Sequence, residues 1–220
     1  MELLIHASAS RIRYVAEHLV PRLKDIQVSV YCDRNHKGNL KSYLESYMYL
    51  PSSGDTWHLE DDVLPDRRFK EWMEEMSSFE GIVCGYGSRG NKEVFGLIED
   101  PKDMWYSFPC IRIPNSYLRE MLEWNTYDDD VQRKINEGIG IDLIFHKYVE
   151  ANPIPIYHHD PCMVEHIDDL IGGSLISERY QSPKAIRFED PEGLEKLKTE
   201  LQKGSHEKDE IIEDKEADGT

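Results

Sequence analysis

The chain lacks a Cys-x-x-Cys pair, a long apolar run, an internal repeat and enough basic residues to balance its acids. Its four cysteines, Cys32, Cys84, Cys110 and Cys162, are widely separated, which argues against a small disulfide scaffold and for a reducing compartment. No stretch approaches the ~18 consecutive apolar residues of a membrane helix. Met1-Glu2 leads straight into a strand-like run, without a basic region and apolar core. The expectation is a cytoplasmic protein with no membrane span. Lys and Arg number 26 against 43 Asp and Glu, a formal net charge of −17. That balance disfavours a protein that grips nucleic acid by its whole surface, because phosphate neutralisation by Lys and Arg dominates such affinity. A local basic groove built from Arg11, Arg13, Arg67, Arg68, Arg89 and Lys92 stays compatible with it. The 220 residues, 39% of them hydrophobic, suffice for one packed domain and would be cramped as two.

What is present begins with a strand-helix-strand unit. Glu2-Leu3-Leu4-Ile5-His6 reads as a buried strand. Ala7 to Ser10 turn it into a helix with Ile12, Val15, Ala16, Leu19 and Leu23 at helical spacing, and Ser10 is the expected N-cap. A second strand over 27–32 follows within a few residues, as a parallel sheet requires. Ligands of such sheets sit at the carboxyl ends of the strands, here Ser8, Ser10, Arg11 and Asp33. Capping by Ser10 and a turn at Asp33 explain these residues separately just as well.

The stretch that organises the rest is Thr56-Trp57-His58-Leu59-Glu60-Asp61-Asp62-Val63-Leu64-Pro65-Asp66. A strand here carries Trp57 and Leu59 on one face and His58 and Glu60 on the other, and Pro65 is expected to prevent its regular continuation. Three adjacent acids repel one another unless a cation or a hydrogen-bond donor offsets the repulsion. Hard oxygen ligands of this kind suit Mg2+ or Mn2+. The competing reading is a solvated acidic turn, against which the apolar anchors on both sides weigh.

Further along, 39–50 reads as a Tyr- and Leu-rich helix and 66–77 as a helix with Phe69, Trp72, Met73 and Met76 in one stripe. A strand over 81–84 ends in Gly85-Tyr86-Gly87-Ser88-Arg89-Gly90. This fits Gly-x-Gly-x-x-Gly, but a strand-like run follows it instead of the helix whose N-terminus would hold a pyrophosphate. It is therefore read as a mobile loop near the active site. A strand over 104–113 leads into a helix through Tyr117 and Leu122. Trp105, Tyr106 and Trp124 are read as packing residues before ligand platforms. Asp128-Asp129-Asp130 complements a helix dipole. Gly138-Ile139-Gly140-Ile141-Asp142 presents a carboxylate at the start of an apolar helix. After a short strand over 154–158, His158, His159, Cys162 and His166 supply enough nitrogen and sulfur for a tetrahedral zinc site, although their spacing matches no standard finger. The expected organisation is one domain over 1–185, a short helix within 186–203 and an acidic, disordered tail over 204–220.

Leu59-Glu60-Asp61-Asp62-Val63 followed by Phe69 resembles the metal-binding motif of glycosyltransferases with the GT-A fold, in which a strand delivers an Asp-X-Asp-type cluster to the diphosphate of a nucleotide sugar. Glu60-Asp61-Asp62 departs from a strict Asp-X-Asp, and Asp62 is the first choice of ligand. The resemblance extends over roughly 2–175 and implies a single α/β, Rossmann-like domain with a mostly parallel central sheet flanked by helices. It implies Asp62 and His166 as ligands of Mn2+ or Mg2+, with Ser8, Ser10, Arg11, Asp33, Glu60, Asp61 and Ser174 on a nucleotide-sugar donor of UDP type. Asp142 matches the general base of inverting members, acting on an acceptor hydroxyl of a glycan or a hydroxymethylated DNA base. Such compact enzymes occur among bacterial and bacteriophage proteins. The alternatives are a metal-dependent nuclease or phosphohydrolase, and a non-catalytic binding module stabilised by zinc.

Overall fold

A computed structural model describes residues 2–35, 39–48, 53–87, 96–99, 109–127, 133, 141–152, 154–173, 184–185 and 187–203. β1 (Glu2–Ser8) lies between β2 (Gln27–Asp33) and β3 (Asp55–Glu60), parallel to both. The sheet continues through β7 (Cys110–Pro114), β5 (Ile82–Cys84), β8 (Ile156–Asp160) and β6 (Gly96–Glu99), giving the order β2-β1-β3-β7-β5-β8-β6. β1, β2, β3, β5 and β8 share one direction, and β7 and β6 oppose it. The chain is thus an α/β protein with a mostly parallel central sheet, as the sequence predicts.

Side-chain alternation along the strands divides the core into two layers. Leu3, Ile5 and Ala7 of β1 and Trp57 and Leu59 of β3 pack with Val15, Leu19 and the helix Phe69–Met76. The opposite face takes Ile82, Ile111, Ile113 and Ile156 against helices Asn39–Tyr47, Asn115–Tyr127 and Ile141–Ala151. His58 and Glu60 point to this second side, where Tyr47 meets the His58 ring and Tyr43 meets the Glu60 carboxyl.

Several local expectations are corrected. The first helical run, 12–22, holds a π-turn over Val15–Leu19. It buries Tyr14, Val15 and Leu19 and leaves Ile12 and Ala16 outside. The π-turn directly precedes a segment containing Pro21, which has no N–H for the carbonyl four residues back. Ser10 does not cap this run: Arg11 occupies the N-cap position without a side-chain bond there, and the Ser10 hydroxyl pairs with Ser8 Oγ at 3.2 Å. Pro65 is the last extended residue, as expected, but the strand is interrupted before it. The break falls at Asp61-Asp62, and β4 (Val63–Pro65) then pairs antiparallel with β9 (Val164–His166) in a separate two-stranded sheet, where an end position tolerates proline. The last strand of the main sheet covers 156–160 instead of 154–158. Leu50, residues 88–95, Trp105, Tyr106, the 128–130 acids, 138–140, Ser174 and the 204–220 tail lie outside the described residues. Among those described, no helix is long and apolar enough to cross a membrane.

Candidate metal centre

β1 and β3 are parallel neighbours, so their carboxyl ends open on the same edge, with Ser8 and Glu60 at the two tips. The chain reverses at Asp61-Asp62. Asp61 folds back to accept the Ser8 N–H at 2.6 Å and an Arg11 Nη1–H at 3.0 Å. The Asp62 carbonyl accepts the Ile167 N–H at 2.8 Å, and Val63 pairs with His166. This short ladder brings two segments a hundred residues apart into register. It sets His166 Nε2 at 3.3 Å from Asp62 Oδ1, with Nδ1 at 3.4 Å from Asp168 Oδ1. Behind Glu60, the Tyr43 hydroxyl donates to Oε1 at 3.4 Å, while the Tyr43 ring stacks on His6 at 3.7 Å.

Glu60, Asp62 and His166 each offer a ligand atom within 4.8 Å of the others, the one such group among the described residues. The donor set fits a divalent ion. Asp62 Oδ2 accepts from Arg11, whereas Oδ1 is buried without a hydrogen-bond partner and faces the imidazole. Two carboxylates and one imidazole are donors that a divalent ion accepts. The electrostatics point the same way. Burial pushes the Glu60 carboxyl well above the usual carboxylate range, helped by the charges of Asp62, Asp61 and Asp142 and opposed by Arg11. Asp61 is raised by burial and by Asp62, against the pull of Arg11 and the Ser8 N–H. One guanidinium thus faces a cluster of acids, and a cation at its centre relieves the excess.

The remaining candidates fall as follows. Ser8 gives its N–H to Asp61, and Asp33 ends β2 opposite Ser8. Asp142 is half-buried in the first turn of helix Ile141–Ala151, and its charge reaches Glu60. Glu60 joins the ligand group, while Asp61 stands outside it as an anchor. The zinc quartet does not form: His158 and His159 are successive residues of β8 and face opposite ways, Cys162 Sγ donates to the Gly87 carbonyl at 3.3 Å, and only His166 reaches the cluster. Of the basic residues expected to build a local groove, Arg11, Arg13 and Arg68 pair with Asp61, Glu17 and Asp66, Arg67 is exposed, and Arg89 and Lys92 lie outside the described residues. Sequence reading missed Tyr43 and Asp168. Asp168 has a signal in its position two residues beyond His166, whereas Tyr43 has none beyond being one of several helix aromatics.

Fold and site together define an α/β protein with a carboxylate–imidazole cluster of metal-binding type at the carboxyl ends of its parallel strands. No family model matches the chain, and no curated protein does. Among solved structures, a protein from STIV is similar at 19% identity over 76% of this chain and 86% of that one, with a TM-score of 0.41. A nucleoside-diphosphate-sugar pyrophosphorylase from Vibrio cholerae RC9 is similar at 10% identity over 77% and 78%, with a TM-score of 0.46. The galactosyltransferase LgtC, solved with donor and acceptor sugar analogs, is similar at 10% identity over 68% and 70%, with a TM-score of 0.40.

Proposed function

We propose that this protein is a cytoplasmic, metal-dependent glycosyltransferase that moves a sugar from a nucleotide-diphosphate donor, of UDP type, to an acceptor hydroxyl. The observation that carries the reading is the Glu60–Asp62–His166 group with the unpartnered Asp62 Oδ1, set where a parallel sheet receives its ligands. Glu60, Asp62 and His166 would hold Mn2+ or Mg2+, which when bound neutralises charge building on the departing diphosphate. Ser8, Ser10 and Asp33, at the ends of β1 and β2, would line the nucleoside side of the same crevice, with Ser174 beyond the Gly172-Gly173 turn. Asp142, close enough to Glu60 for its charge to act there, would take the proton from the acceptor hydroxyl. A base on the acceptor side implies inversion at the anomeric carbon. The acceptor is a glycan or a hydroxymethylated DNA base, and the net charge of −17 weighs against the DNA.

The test is thermal stabilisation by Mn2+ with a panel of nucleotide sugars. A donor present at about 100 times its Kd adds roughly 2.7 kcal/mol to the folded state. Asp62→Asn should remove that stabilisation with the fold intact; manganese-dependent binding that survives the substitution sinks the reading. Asp142→Asn should bind donor like the parent and lose transfer by about 10²–10⁴-fold. Transfer within a few-fold of the parent would return Asp142 to a helix-terminal role and leave inversion unsupported.

A further inference from the structure

We propose that Arg11 is a positioning residue of the metal centre, holding Asp62 toward the ion, and that it makes no contact with the donor. The proposal rests on the glycosyltransferase reading and deepens it. Arg11 is buried, and three hydrogen bonds from its two terminal nitrogens go to protein acceptors. Nη1 donates to Asp61 Oδ1 at 3.0 Å and to Asp62 Oδ2, and Nη2 donates to the Gly173 carbonyl at 2.6 Å. These acceptors belong to two turns far apart in sequence, the acidic turn after β3 and the turn that follows Asp168–Leu170.

Two consequences follow from that geometry. With Oδ2 engaged, the Asp62 carboxylate is held against rotation, and its unpartnered Oδ1 stays on the side of His166 and Glu60. The second concerns the Gly172-Gly173 turn, whose φ values of 112° and 82° favour glycine. The same guanidinium fixes the carbonyl of that turn, so the acidic turn and the chain after His166 are tied through one side chain. For Arg11 to grip a diphosphate with Nη1 it would have to abandon Asp61 and Asp62. Two buried carboxylates would then be left without their cation, which is strongly unfavourable. A lysine carries the charge but not the planar fork, and cannot span both turns.

The experiment titrates Mn2+ alone into the parent, Arg11→Lys and Arg11→Gln, reading free Mn2+ by electron paramagnetic resonance, with a separate titration of UDP-sugar. Circular dichroism establishes that each variant is folded. Arg11→Lys leaves the local charge unchanged, so any change in ion affinity reports geometry. The expected result is an ion-alone Kd weakened by about 10- to 100-fold, the usual effect of removing an outer partner of a metal ligand. Arg11→Gln removes a positive charge, which alone would tighten cation binding. Weaker Mn2+ binding by Arg11→Gln is therefore expected from lost positioning and decides the matter if the lysine variant does not fold. Ion binding within about twofold of the parent, with UDP-sugar binding lost, would make Arg11 a donor contact and overturn the proposal. Tighter ion binding by Arg11→Gln overturns it as well. If the parent itself binds no Mn2+, the metal reading falls and takes this inference with it; a parent that binds beside unaffected variants sinks the inference alone.

Discussion

At the scale of single residues, His58 shows how a buried titratable group that holds no ligand still shapes behaviour. It lies in the middle of β3, is buried, and neither ring nitrogen makes a hydrogen bond. Tyr47 meets the ring edge-on at 4.8 Å. Burial pushes its pKa down from 6.5 to about 3, and burial likewise pushes the neighbouring His6 down to about 4. Both folded values lie below the unfolded one. Stability from these groups is therefore complete above pH 6.5 and falls as the pH drops, because the unfolded chain takes up protons that the folded one refuses. For His58 the loss between pH 6.5 and about pH 4.5 is of order 2–3 kcal/mol. His58→Leu should flatten this part of the acid limb. It should also be neutral or gain up to about 1 kcal/mol at pH 7, since it removes buried polar atoms that have no partner. Urea midpoints of parent and variant at pH 7 and 4.5 check this; equal losses in the two proteins would count against the assignment.

At the scale of elements, the site depends on how β4 and β9 are hung from the main sheet. Gly85, just past β5, donates its N–H to the Cys110 carbonyl at 3.0 Å and accepts the Met163 N–H at 2.7 Å, one residue before β9. A Cβ at Gly85 would sit 2.7 Å from Trp72 Cη2 and 2.8 Å from Cys110 Sγ. Gly85→Ala should therefore cost about 1–3 kcal/mol by overpacking. It should also weaken Mn2+ binding although Gly85 supplies no ligand, because Met163 and β9 carry His166. Denaturant melts and a manganese titration measure both effects, and an unchanged affinity would show that the ladder is not transmitting the shift. In sequence Gly85 reads only as the first glycine of a loop, since its crowding is set by Trp72 and by a cysteine 25 residues away. The strands were more legible. Alternation sorted Trp57 and Leu59 from His58 and Glu60, and the sheet confirms that division. The turn after β3 was not. Which of Glu60, Asp61 and Asp62 turns toward His166 depends on a chain reversal fixed by the Ser8 N–H and Arg11, contacts that span about fifty residues. The zinc alternative fails for a simpler reason: adjacency in sequence becomes opposition on a strand.

At the scale of the whole molecule, the described chain beyond residue 185 packs against the core of the central sheet. Helix 191–203 places Leu197 wholly inside the core shared with Leu19 and Trp72, with Leu194 and Leu201 packed around it. Arg22 Nη2 meets Glu200 at 2.7 Å. Ahead of the helix, the Arg187 carbonyl accepts the Cys162 N–H at 2.8 Å and Phe188 bridges to Cys162, so this segment also braces the approach to β9. Leu197→Ala should cost about 2–5 kcal/mol, the usual range for a buried leucine, and lower Tm by roughly 5–15 °C in a protein of this size. Truncation after Asp190 should be more severe, and should weaken Mn2+ binding through the loosened β9. Truncation after Lys203 removes a charged segment whose only large apolar residues are Ile211 and Ile212. It should leave both Tm and Mn2+ affinity near those of the parent. Calorimetry on the three variants orders them. A Leu197→Ala protein as stable as the parent would mean that the helix merely rests on the domain, whereas a large loss on cutting after Lys203 would assign the acidic tail a docking role.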